Sequence, residues 1–162
     1  MKAVVVYDST YGNTEILAGS IGRVLQAHLS AQVIPVAVAD RLDLQAGDVL
    51  VVGCPTQVHS ATPALRAWLK GFERGSLRGV KAAAFDTRYR KAEWLTGMAA
   101  HKIDRELRRA GATMLVPAES FFVSSAKPPM LEEGEMDRVM TWAEALESLI
   151  EQYEQEKNVT LA

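Results

Sequence analysis

The chain has 162 residues, 48% of them hydrophobic and 23% charged, with a formal net charge of -2. Such a length suits one domain spanning 1–162, and such a composition supplies an ordinary core rather than a disordered chain. The balanced charge argues against a nucleic-acid binder, the single cysteine (Cys54) excludes an internal disulfide or a multi-cysteine metal site, and the lack of a leader-like segment or long apolar run is read as cytoplasmic, with no membrane span.

The run "AVVVY" (3–7) reads as a strand buried on both faces, as in parallel sheets. A helix is predicted over 14–29, with Leu17, Ile21, Val24, Leu25 and His28 on one stripe. "AQVIPVAV" (31–38) reads as a second strand, at a sheet edge because Pro35 has no N–H to donate. "DVLVVGCP" (48–55) is a third strand. "TPALRAWLKGF" (62–72) carries a helix-start signal, with Thr62 as N-cap and Pro63 in the first turn. "GVKAAAF" (79–85) is a fourth strand. A helix follows from about Leu95 to Ala110, ended by Gly111. "ATMLVPAESFFV" (112–123) is a fifth strand, bent at Pro117. The last helix runs from about Gly134 to Gln155, with Glu132, Glu133 and Glu135 at its positive end.

Alternating strands and helices imply a parallel sheet covered on both faces by right-handed crossovers. Five strands fit the doubly wound order 2-1-3-4-5, a three-layer sandwich with its switch point between strands 1 and 3. Ligands in such sheets bind beyond the carboxyl ends of the strands at that point. Three loops should therefore converge there: 8–14, 54–62 and 86–94.

The first of these is "DSTYGNT", with hydroxyls on Ser9, Thr10, Tyr11 and Thr14, one glycine, and no lysine or arginine. A helix start offers backbone N–H groups that favour an anion, and neutral side chains can add donors. Gly12 allows close backbone approach. A phosphate could thus be held without a cation, although Thr14 equally suits a simple N-cap. The loop has neither the nucleoside-triphosphate loop pattern nor the dinucleotide fingerprint.

"STYGNT" after an N-terminal hydrophobic strand resembles the phosphate loop of flavodoxins, through Ser9, Thr10, Gly12, Asn13 and Thr14, with Tyr11 between. "GCPTQVHSATP" resembles that family's second loop, and "FDTRYRKAEW" its third. The ending "KPPMLEEGEMDRVMTWAEAL" is similar to short-chain members. The resemblance implies a flavodoxin-like fold and flavin mononucleotide (FMN) as cofactor. It implies that Ser9 to Thr14 hold the phosphate. Pro55 and Thr56 would line the ribityl chain, and Gln57, Val58 and His59 would pass one face of the ring. Asp86, Thr87, Arg88 and Tyr89 would reach its pyrimidine end. Two departures stand out: the second loop has no aromatic residue, and "QVHSAT" has no glycine.

Among individual residues, Tyr89 is a candidate to stack on the flavin and Arg88 to offset charge on the reduced ring. His59 could stack or tune it through its charge. Cys54, Trp68, His28 and His101 read as structural. No residue set has metal-ligand spacing, and no nucleophile–base pair suggests a catalytic residue. "RYRK" (88–91) is a basic stretch beside the expected flavin edge, and it would steer an acidic partner or an anionic small substrate. The reading is a soluble electron carrier, monomer or weak dimer, serving a redox partner protein or small electron acceptor. The alternative is an FMN-dependent oxidoreductase such as a quinone reductase or a protoporphyrinogen dehydrogenase.

Overall fold

The computed structural model describes residues 1–40, 42–91 and 97–160, the side chains of 157 and 158 excepted. Strand β1 (Lys2–Tyr7) leads through the 8–12 loop into helix α1 (Asn13–Leu25). Strand β2 (Ser30–Pro35) follows, then a 3-10 turn over Val36–Val38. Next come β3 (Val49–Pro55), α2 (Pro63–Lys70), β4 (Lys81–Tyr89) and α3 (Ala99–Arg109). Two strand segments, β5 (Thr113–Met114) and β6 (Glu119–Val123), precede the last helix α4 (Glu135–Thr160).

The sheet is parallel in the order β2-β1-β3-β4-β5, with β6 also paired to β4. β5 and β6 therefore share the fifth strand position, which is the bend expected at Pro117 drawn out into the link 115–118. Both sheet faces are buried, which explains the unbroken apolar strands. Ala3, Val5, Val49 and Val51 pack toward α1 and α4 with Leu17, Ile21, Val139 and Leu146. The alternate residues Val4, Val6, Leu50 and Val52 pack toward α2 and α3 with Leu65, Leu69, Ile103 and Leu107. Pro35 ends the edge strand, as a residue lacking a donor should.

Several sequence expectations change. α1 stops at Leu25, so His28 lies beyond it on the surface, facing Glu147 and Glu151 at 3.6 and 3.3 Å. β2 gives way to a 3-10 turn after Pro35 instead of running to Val38. α2 is capped by Thr62, with Pro63 in its first turn, and closes at Lys70. The expected start of the third helix at Leu95 lies outside the described residues; within them α3 begins at Ala99. α4 runs five residues past Gln155, to Thr160.

The largest change is β4. It does not end at Phe85 but continues through Asp86, Thr87, Arg88 and Tyr89. Asp86 and Thr87 have partners on both sides, Cys54 and Pro55 of β3 and Ser120 and Phe121 of β6, while Arg88 and Tyr89 pair with Phe122 and Val123 of β6 alone. These ladders hold polar residues in strand conformation that alone would read as a loop.

Beneath this edge, Phe85, Phe121 and Trp142 meet edge to face, with ring centroids 6.0 to 6.3 Å apart. Such pairs contribute about 0.5–1.5 kcal/mol each beyond area burial. Gly53 in β3 makes room for them: a Cβ there would lie 2.2 Å from the Phe85 ring, which is fully buried. Gly53→Ala should therefore destabilise the protein by roughly 1–3 kcal/mol through overpacking. Urea denaturation checks this; a midpoint equal to wild type would show that the ring yields without cost.

Candidate functional site

At the carboxyl edge of the sheet lies a cavity of about 260 Å³. A larger cavity of about 710 Å³ sits at the opposite edge, around Met1, Lys81 and Tyr153. The smaller one is where the topology places a ligand, and it is the one with converging donors.

Its first wall comes from the β1–α1 loop: Ser9, Thr10, Tyr11, Asn13 and Thr14 line it. Gly12 does not line the cavity; it is the α1 N-cap, left-handed at φ 87°, and its N–H donates to Ser9 Oγ at 3.0 Å. No side chain caps α1. Thr14 is consequently not the N-cap. It lies inside the first turn, and its Oγ1 meets Thr87 Oγ1 at 3.0 Å in a buried hydrogen bond. The first-turn N–H groups of α1 are left to a ligand or solvent.

The second wall is Pro55, Thr56 and Gln57. Gln57 Nε2 donates to Thr10 Oγ1 at 2.9 Å, tying the two loops together. Val58 and His59 do not reach the cavity lining. They form a two-residue turn closed by reciprocal 2.8 Å hydrogen bonds between Gln57 and Ser60. Both sit at positive φ, 45° and 61°, which is costly for a β-branched valine. Gly97 backs this turn: at φ 70°, a Cβ on it would fall 2.5 Å from His59 Cα. Val58 is 94% exposed.

The third wall is the end of β4: Thr87, Arg88 and Tyr89. The remainder of the expected loop, 92–94, lies outside the described residues. Asp86 is brought beside the site but not into it. It is fully buried, and its Oδ2 accepts from Thr56 Oγ1 at 3.1 Å and from Ala100 N–H at 2.9 Å. Thr56 Oγ1 in turn accepts from Ala99 N–H at 3.0 Å. Met98, the residue at the N-cap, offers no side-chain cap, so Thr56 and Asp86 cap α3 from across the sheet edge. Burial pushes the Asp86 carboxyl above the usual range, partly offset by Ala100, Ser120, Thr56 and the Arg88 charge.

"RYRK" is less open than its composition suggests. Arg88 is 9% exposed; its Nε donates to Ser120 Oγ at 3.0 Å and Nη1 to the Lys91 carbonyl at 2.9 Å. Arg90 pairs with Glu132 at 2.7 Å and lies 4.1 Å over the Phe122 ring. Burial pushes the Cys54 thiol up to about 12, which makes it a packed residue and not a nucleophile.

Sequence reasoning missed a fourth wall. Val123 and Pro129 also line the cavity. Pro129 belongs to a return loop fixed by Ser124 N–H to Met130 O, and its carbonyl accepts from Asn13 Nδ2 at 2.9 Å. The readable signal was "SSAKPP" directly after the fifth strand, at the same edge as the other loops.

The cavity's donor chemistry fits a phosphorylated cofactor: an uncapped helix start, hydroxyls from two loops, and one cation further along. Fold and site together define a doubly wound α/β protein with a ligand cleft at its switch point. The flavodoxin family model matches residues 5–153, and the chain belongs to that family. Members of the family bind FMN, the cofactor this donor set fits. No curated protein matches the chain. Among solved structures, a Bacillus cereus flavodoxin (flavodoxin 2) superposes at TM-score 0.74 and 19% identity, over 90% of this chain and 97% of that one. A Streptococcus pneumoniae flavodoxin does so at 0.72 and 19%, over 91% and 99%. The flavodiiron protein from Giardia intestinalis matches at 0.67 and 21%, over 93% of this chain but 37% of its own. At these identities the likeness is one of fold.

The buried Asp86 carboxyl makes stability depend on pH. Its folded-state pKa is raised, so the native chain holds the proton more tightly than the unfolded one. This contribution is fully present below the unfolded pKa and is lost as pH rises through the folded value. The stability of wild type minus that of Asp86→Asn should therefore fall as pH rises from about 4, near the unfolded pKa. Urea denaturation across pH reads it; a difference that stayed flat or grew would contradict the assignment.

Proposed function

We propose that the chain is an FMN-dependent electron carrier. The observation that carries this reading is the α1 start: it has no side-chain cap and opens on a cavity whose donors nearest that start, Ser9, Thr10 and Asn13, are neutral. The phosphate would rest on the first-turn N–H groups with Ser9, Thr10 and Asn13 beside it. Thr14 and Thr87, bonded to each other, would fix α1 against β4 at that point. Pro55, Thr56, Gln57, Arg88 and Tyr89 would line the rest of the cofactor. When bound, FMN supplies the redox chemistry; the protein supplies orientation and electrostatics.

Tyr11 (65% exposed), Val58 (94%), Tyr89 (42%) and Met130 (65%) put exposed apolar surface on the segments that build and flank the cavity. That rim supports brief docking of a redox partner protein or a small acceptor near the flavin edge. With Arg88 buried and Arg90 paired, Lys91 carries most of the charge that would steer an acidic partner. Among the described residues no helix is long and apolar enough to cross a membrane, and the reading is a cytoplasmic monomer or weak dimer.

Fluorescence quenching of FMN and riboflavin by the purified protein tests the reading. FMN should bind at least about tenfold more tightly, since the helix start and hydroxyls engage only the phosphate. Equal affinities would remove the phosphate assignment, and no quenching by either would remove the cofactor.

A further inference from the structure

The charges of this molecule are sorted between its two helical layers. On one side of the sheet, α2, the segment 71–78 and α3 carry eight cations and three acids. On the other side, α1 and α4 carry eight acids and three cations. The whole chain has a net charge of only -2. Two copies therefore repel each other little, while each presents one basic face and one acidic face.

The basic face is short of partners within the chain. Arg108 and Arg109 are paired with Asp104 and Glu106 at 2.6 and 2.7 Å. Arg66, Lys70, Arg74, Arg78, Lys102 and Arg105 make no ion pair among the described residues, and all but Lys102 are exposed. The Leu77 N–H donates to the Ala110 carbonyl at 2.8 Å, which holds the segment 71–78 against the end of α3. Arg74 and Arg78 thereby extend the same face.

The acidic face has a matching line. Asp137, Glu144 and Glu151 recur at heptad spacing on α4, a row of carboxylates about 20 Å long. Glu151 faces His28 at 3.3 Å, while Asp137 and Glu144 make no ion pair among the described residues. Met136 and Met140, next to these acids in the helix, are 38% and 37% exposed and add apolar contact area. α3 has 11 residues, a length of about 16 Å, so it fits along that row.

We infer that the α2–α3 face of one copy docks along α4 of another, so that the chain associates with itself. Charge complementarity selects the occupant: an acidic surface that matches the basic face in sign and length is the chain's own. The two faces lie on opposite sides of the sheet. The contact is therefore head-to-tail, with different surfaces on the two copies, and it does not close at a pair. Exposed ion pairs are individually weak and screened by salt, so association belongs to low ionic strength and high protein concentration. No residue of α2, α3 or α4 lines the cavity, so this contact is independent of the FMN reading and leaves the cavity open.

Sedimentation equilibrium of the full chain tests the contact. At an ionic strength of about 0.01 M, where the screening length is about 30 Å, the average mass should rise with concentration past that of a dimer. At about 1 M, where it is about 3 Å, the mass should fall to that of one chain. Arg66→Glu with Arg105→Glu reverses the basic face, and Asp137→Lys with Glu144→Lys reverses the acidic one; all four positions are exposed. Each double variant alone should associate at least about tenfold more weakly than wild type. Mixed in equal amounts, the two should associate again, because each then meets a face of opposite sign. A wild type that stays a single chain at low ionic strength overturns the inference. So does association that salt does not reverse, that both double variants leave unchanged, or that the mixture fails to recover. If either double variant does not fold, the wild-type response to salt decides. A single-chain wild type that binds polyglutamate, or vesicles containing phosphatidylserine, through Arg66 and Arg105 also overturns it, and gives the basic face to an acidic protein or an anionic membrane.

Discussion

The carboxyl edge of this molecule depends on the length of β4. Had the strand ended at Phe85, Asp86 to Tyr89 would have been a loop free to choose its surroundings. Instead the parallel ladder with β6 carries them four residues further, joined over the first two by the ladder with β3. Strand geometry then decides the rest: successive side chains alternate between faces. Asp86 turns to the α3 start, Thr87 to Thr14, and Arg88 to Ser120 at the cavity wall. One extension of a ladder therefore supplies a helix cap, a clasp on α1 and a buried charge.

The neutral side chains at the site have two duties. Thr56 gives its hydroxyl proton to Asp86, accepts from Ala99 N–H, and still lines the cavity. Gln57 and Thr10 bond to each other across two loops while facing the same space. Buried polar groups are tolerated when each has its partner, and such networks fix a single arrangement. Gly12 contributes in a different way: by taking a left-handed conformation it starts α1 with no side chain over its N–H groups.

Much of this was readable from residue order. Continuous apolar strands, helix stripes and the Thr62-Pro63 start signal are local, and local rules identified them. The position of the cavity followed from topology. What was not readable depended on partners distant in sequence. "DTRY" looks like a loop because its residues are polar; only the pairing with β3 and β6 makes it a strand. Thr14 looked like a cap because Thr commonly caps, yet Gly12 took that position. His59 looked able to stack on the flavin or tune it, but it is not among the cavity's lining residues, and the Gly97 that fits behind its turn is far along the chain. The basic character of "RYRK" was plain; that Glu132 and the Lys91 carbonyl would occupy it was not.

The clasp between Thr14 and Thr87 joins residues 73 positions apart, and the one between Asn13 and Pro129 joins residues 116 apart. Closing such loops costs entropy, and the cost is met only when the whole carboxyl edge is in place. The cavity therefore exists only in the folded chain. A ligand that requires it binds that state alone and stabilises it by mass action.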